Sequence, residues 1–149
     1  MRQVVDLADE AATDRLGRAL SKVLQVGEAI CLTGPLGAGK STLARALIRA
    51  LTTPNEEVPS PTFTLVQTYD GKRLTVAHFD LYRLSDPDEA YEIGLDEALE
   101  DGAALIEWPE RLEGRLPVDR LDVAIEMVGE GRRATLVGHG AWEGRELGA

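Results

Sequence analysis

Gly34-Pro35-Leu36-Gly37-Ala38-Gly39-Lys40-Ser41 is the stretch from which the rest of the chain is read. A glycine, four residues and then Gly-Lys-Ser is the pattern of a phosphate-binding loop, and its setting matters as much as its letters. An apolar run at 29–33, Ala-Ile-Cys-Leu-Thr, precedes it as a strand would, and residues 42–51 follow with helical spacing. Glycines at 34, 37 and 39 allow the backbone from Gly34 through Leu36 and Ala38 to curl, so that successive N–H groups point at phosphate oxygens. Lys40 is then expected to reach the terminal phosphates and Ser41 to offer an oxygen to Mg²⁺. The following helix presents its positive end to the same anion.

Working outward, the other elements fall into place around this unit. Asp9 caps a helix whose Ala12, Leu16, Ala19, Leu20 and Val23 share one face. A short strand is expected before it at 4–7. Behind the loop, Leu43, Leu47, Ala50 and Leu51 form an apolar stripe, with Arg45 and Arg49 on another face. Prolines 54, 59 and 61 predict an exposed loop over 52–61. Residues 62–69 read as a strand, Asp70-Gly71 as a hairpin turn and 74–80 as the returning strand. Ser85 is expected to cap a helix over 86–92, with a second short helix at 95–100. A buried strand at 103–106 ends at Glu107, and Pro109 opens one more helical turn through Leu112. Strands at 121–128 and 133–137 are joined through Gly129-Glu130-Gly131.

These elements predict an α/β fold of the P-loop NTPase-like kind, a mixed β-sheet flanked by helices in a single domain over 1–138. The glycine-rich stretch 139–149 has no periodicity and is expected to be a disordered tail. A chain of 149 residues is long enough for one core and too short for two domains. No apolar run approaches a membrane span, and the N-terminus lacks a signal core. The single cysteine, Cys31, lies in the strand under the loop, where a buried thiol in a reducing cytoplasm is expected. The formal net charge of −10, spread along the chain, disfavours broad direct contact with nucleic acid. A local basic patch among Arg111, Arg115, Arg120, Arg132 and Arg133 stays compatible with that charge.

A phosphate loop needs an acid at the end of a neighbouring strand to complete a Mg²⁺-nucleotide site. Two runs end in one, Val76-Ala77-His78-Phe79-Asp80 and Ala103-Ala104-Leu105-Ile106-Glu107. Ligands of open α/β sheets gather at the carboxyl ends of strands, so both acids are candidates for metal binding and for orienting water. Spacing does not say which does which. Hydroxyls at Ser60, Thr62 and Thr64 would suit a switch that senses the γ-phosphate, and an ordinary exposed turn fits the same letters equally well. Trp108 adjoins a candidate catalytic acid, although tryptophan more often fills a core. His78 shares a face with Asp80 and reads as structural. Two histidines and one cysteine make no zinc site. Asn55 is the only asparagine, so the Asn-Lys-x-Asp element that holds guanine is absent, and adenine nucleotide is expected.

Taken together, G-P-L-G-A-G-K-S at 34–41, S-P-T-F-T at 60–64, H-F-D-L-Y-R at 78–83 and E-W-P at 107–109 resemble the bacterial TsaE family, formerly YjeE. The resemblance runs from about Asp9 to Arg133. It implies a small P-loop ATPase that uses Mg²⁺ and ATP, yields ADP, and acts with TsaD and TsaB in making N6-threonylcarbamoyladenosine in tRNA. The tRNA would be met only through that complex. By the same resemblance Lys40, Asp80 and Glu107 would be catalytic, with Ser41, Asp80 and Glu107 around the metal. Thr42 would add a phosphate contact, Trp108 would neighbour the nucleotide, and Glu10, Thr13 and Gly131 would lie near the adenine. Pro35 stands where the family commonly has an acid, so no role of that acid carries over. Two other readings share the loop. A small-molecule kinase would need a lid, for which Arg111, Arg115 and Arg120 are available, and a docking module would bind nucleotide without needing to hydrolyse it.

Overall fold

Strand β2 (Ala29–Thr33) is the centre of the molecule, hydrogen-bonded on both sides by parallel neighbours. Such a strand has no solvent face, which is why its sequence is apolar without alternation. Ile30 and Leu32 enter one hydrophobic cluster and Ala29 and Cys31 the other, one on each face of the sheet. The computed structural model describes residues 1–35, 37–59, 61 and 64–147.

Seven strands form one sheet in the order β1-β7-β6-β2-β5-β4-β3. Its middle is parallel and consists of β6 (Arg120–Val128), β2, β5 (Gly102–Glu107) and β4 (Thr75–Asp80). Antiparallel partners close both margins: β3 (Val66–Asp70) on β4, and β7 (Gly131–His139) on β6 with β1 (Arg2–Leu7) outside it. The fold is a single-domain mixed α/β sheet, as the sequence predicts. Helices α1 (Glu10–Val23) and α2 (Lys40–Leu51) cover one face through Leu16, Leu20, Leu43 and Leu47. The other face is covered by α3 (Asp88–Glu92), α4 (Leu95–Asp101) and a 3-10 turn at Pro109–Leu112.

Asp9 caps α1 as expected, its Oδ1 accepting from the Ala12 N–H at 2.9 Å. The two helices approach closely at Gly17, where a Cβ would stand 2.7 Å from the Ala46 Cβ. That closeness fixes the start of α1 beside the phosphate loop.

Several boundaries differ from the sequence reading, each for a local reason. Strand β3 begins at Val66 because Leu65 takes a left-handed φ of 67°, and its N–H bonds the Pro61 carbonyl instead of a ladder partner. Ser85 does not cap α3. Its hydroxyl bonds the Glu89 carboxylate, and Asp86 accepts from the Asp88 N–H. The last hairpin turns through Gly129-Glu130 alone, which leaves Gly131 inside β7.

The largest correction concerns the stretch expected to be a disordered tail. Strand β7 continues to His139, a 3-10 turn follows at Gly140–Trp142, and Trp142 is wholly buried. Arg145 grips both oxygens of the buried Glu28 at 2.7 and 2.8 Å and lies over the Trp142 ring, and Leu147 is buried too. Burial of one large ring and one bidentate ion pair orders a segment whose glycines suggest freedom.

Candidate functional site

The loop leaves β2 at Thr33 and enters α2 at Lys40. Gly34 sits at φ 141°, and a Cβ there would fall 2.4 Å from the Ile125 carbonyl oxygen on β6, so only glycine fits. Its carbonyl accepts from Lys40 Nζ at 2.5 Å. Gly39 is the N-cap of α2 and supplies no side-chain acceptor, which leaves the first N–H groups of the helix to an anion.

Lys40 is buried beneath this loop, and its ammonium stands 3.8 Å from the centroid of the Trp108 ring. Burial pushes the lysine below its ordinary pKa, while Glu107, Glu110 and Asp80 pull the other way. Trp108 holds a left-handed backbone, φ 60° and ψ 50°, immediately before Pro109, a conformation that bulky residues adopt at a cost. Tyr82 packs tilted against the same ring at 4.9 Å.

Asp80 and Glu107 end adjacent parallel strands in direct register, next to the end of β2. The two candidate acids therefore do meet. Glu107 Oε1 accepts from Ser41 Oγ at 3.2 Å, and Glu107 Oε2 lies 2.6 Å from His78 Nε2. Asp80 Oδ1 accepts from the Tyr82 N–H at 3.1 Å, which shapes the chain just past β4. Among the described residues no set of three or more His, Cys, Asp or Glu could hold a metal by itself. Ser41, Glu107 and Asp80 are hard oxygen donors, and so small a set fits Mg²⁺, which keeps waters and phosphate oxygens as its other ligands.

Beside the loop opens a cleft of about 270 Å³, lined by Glu10, Thr13, Gly37, Ala38, Gly39, Thr42 and Gly131 among others. Arg132 lines it too, its Nη2 donating to the Gly37 carbonyl at 3.3 Å. The residues that the resemblance placed near an adenine thus share one cavity with the phosphate loop. They come together because β1 pairs with β7, which sets Leu7 against Arg132.

A model of the family described as "Threonylcarbamoyl adenosine biosynthesis protein TsaE" matches residues 7–135. The chain belongs to the TsaE family. Among curated TsaE proteins, that of Rickettsia felis is 39% identical over 127 residues, 85% of this chain and 74% of the relative. That of Aquifex aeolicus is 38% identical over 134 residues, 89% and 92% of the two chains. A crystal structure of Bacillus subtilis YdiB superposes with a TM-score of 0.79 at 27% identity, covering 96% of this chain and 90% of that one.

Not every TsaE-like candidate is gathered at this site. Leu36, Ser60 and Thr62 lie outside the described residues. Thr64 is exposed, and its hydroxyl accepts from Gln67 Nε2 at 3.3 Å, a local contact. Of the arginines available for a kinase lid, Arg120 is paired with Asp122 and stands opposite Ala29, at the end of the sheet away from the loop. Arg115 pairs with Asp88. His78 reads as structural in the sequence, and the structure puts it in contact with Glu107. The signal was its even spacing from Asp80, legible only once β4 and β5 are known to be neighbours.

Proposed function

We propose that this TsaE chain is a Mg²⁺-dependent ATPase that serves tRNA N6-threonylcarbamoyladenosine formation, hydrolysing ATP to ADP and phosphate to drive or reset a TsaB–TsaD complex. The observation that carries the reading is the Ser41–Glu107 hydrogen bond, which joins the end of the phosphate loop to a strand-end carboxylate. A P-loop, a hydroxyl and a buried acid in contact are the parts that phosphoryl transfer to water requires.

The cleft lined by Glu10, Thr13 and Gly131 would take the adenine, and the loop and the N-terminus of α2 the phosphates. When Lys40 turns to the phosphates it gives up the Gly34 carbonyl. Bound Mg²⁺ would supply charge neutralisation on the phosphate oxygens, with Ser41, Glu107 and Asp80 as the residues to hold it or its waters. The second acid of the pair orients the attacking water, and Glu107 is the better placed for the metal side because it already touches Ser41. Turnover without partners is expected to be slow, since no arginine finger is obvious in the sequence. Of the candidates for a kinase lid, Arg120 stands at the end of the sheet away from the loop, whereas Arg111 lies 5.8 Å over the Tyr82 ring beside Trp108.

The test is phosphate release from Mg²⁺-ATP by the purified chain, alone and with a TsaB–TsaD pair, beside Glu107→Ala. Release stimulated by the pair and lost in the variant is the expected result. Nucleotide binding with no release under either condition would overturn the ATPase reading.

A further inference from the structure

Glu107 divides its oxygens between two partners, Ser41 on Oε1 and His78 on Oε2. Both Glu107 and His78 are about 2% exposed, so water contributes little to holding the carboxylate. Alternation along the strands puts His78 on the face of Val76 and Glu107 on the face of Leu105, the side covered by α2. His78 Nδ1 is buried and has no hydrogen-bond partner among the described residues. A proton on that nitrogen would be a stranded donor, whereas the tautomer with its proton on Nε2 leaves only an acceptor unpaired and donates to Glu107. A histidine that only filled space would not spend its one polar contact on the acid beside the phosphate loop.

We propose that His78 is a positioning residue for Glu107: by donating to Oε2 it keeps Oε1 turned toward Ser41 and the phosphate site. Its consequence for turnover rests on the ATPase reading above, while its consequence for geometry does not. Without the donor, a desolvated carboxylate with one remaining partner swings to find another. His78→Gln can return an N–H near the place of Nε2. His78→Leu fills the space without a donor, and His78→Asn carries its amide near the Nδ1 position, too short to reach Oε2.

Two readouts decide the matter, steady-state hydrolysis of Mg²⁺-ATP with the TsaB–TsaD pair and crystal structures of the parent and variants. The expected result is a kcat at least about tenfold lower in His78→Leu and His78→Asn, with KM changed less than about threefold and His78→Gln close to the parent. In the crystals, Glu107 Oε1 should leave Ser41 in the Leu and Asn variants and stay in the Gln variant. Parental kcat in both Leu and Asn variants, or equal losses in all three, would overturn the proposal. So would Glu107 Oε1 remaining on Ser41 without His78. If the parent binds nucleotide but releases no phosphate with the pair, the ATPase reading fails by itself, and the position of Oε1 in the crystals still decides the role of His78.

Discussion

The ammonium of Lys40 rests 3.8 Å from the centre of the Trp108 ring, a cation–π contact inside the candidate phosphate site. A phosphate that draws Lys40 away changes the surroundings of Trp108. The chain has two tryptophans, and the other, Trp142, is wholly buried beneath Arg145. In a Trp142→Phe background, ATP is expected to shift the emission of Trp108 saturably. Lys40→Ala removes the group behind that shift, and it should weaken binding of a fluorescent ATP analogue roughly ten- to a hundredfold, the loss of a charge-assisted contact worth about 1.5–3 kcal/mol.

Glu107→Gln keeps the bulk of the side chain and removes its charge. ATP affinity, measured with a fluorescent analogue, should change by less than about fivefold, because in the proposed function the loop and Lys40 carry the phosphates. Phosphate release with the partner pair should fall about 10²–10³-fold, the usual scale for losing a positioned acid–base or electrostatic group. Equal release by variant and parent would refute a role for this acid in turnover.

Cys31 offers a pH test of the fold. Burial, reinforced by Asp122 and opposed by Arg120, pushes its thiol up to about 12 from an ordinary 9.0. Below pH 9 the thiol is protonated in both folded and unfolded chains, and the stabilising difference is complete. Above it the unfolded chain alone ionises, so stability is lost as pH rises toward the folded value, at up to about 1.4 kcal/mol per pH unit. Urea melts between pH 8.5 and 10.5 should show this extra slope in the parent and not in Cys31→Ala. A thiol reagent at pH 8 should label the chain only after unfolding.

Arg145 and Glu28 tie the end of the chain to the centre of the sheet. Arg145→Ala leaves a buried carboxylate without its cation and is expected to cost about 3 kcal/mol in urea unfolding. Trp142→Ala should cost about 3–5 kcal/mol through the cavity it leaves. Replacing the pair together by Arg145→Met and Glu28→Gln should recover most of the first loss, and failure to do so would show that the pair holds more than its own charge.

The loop, the cap on α1, the both-sides-buried β2 and the acids at 80 and 107 are legible in order along the chain, because each is written in neighbouring residues. Glycine spacing, a helical stripe and a strand that ends in a carboxylate are local patterns, and local sterics and burial dictate them. The sequence by itself therefore determined the fold class, the phosphate loop and the two acids. Only the tertiary structure decided that Asp80 and Glu107 are register partners, that Ser41 and His78 share one carboxylate, and that β1 on β7 closes a cleft beside the loop. It also decided that Trp142 and Arg145 anchor a stretch whose glycines point to disorder. The physical reason is the same in each case. These contacts join residues tens of positions apart, and their partners are chosen by sheet order and burial, which no local pattern records.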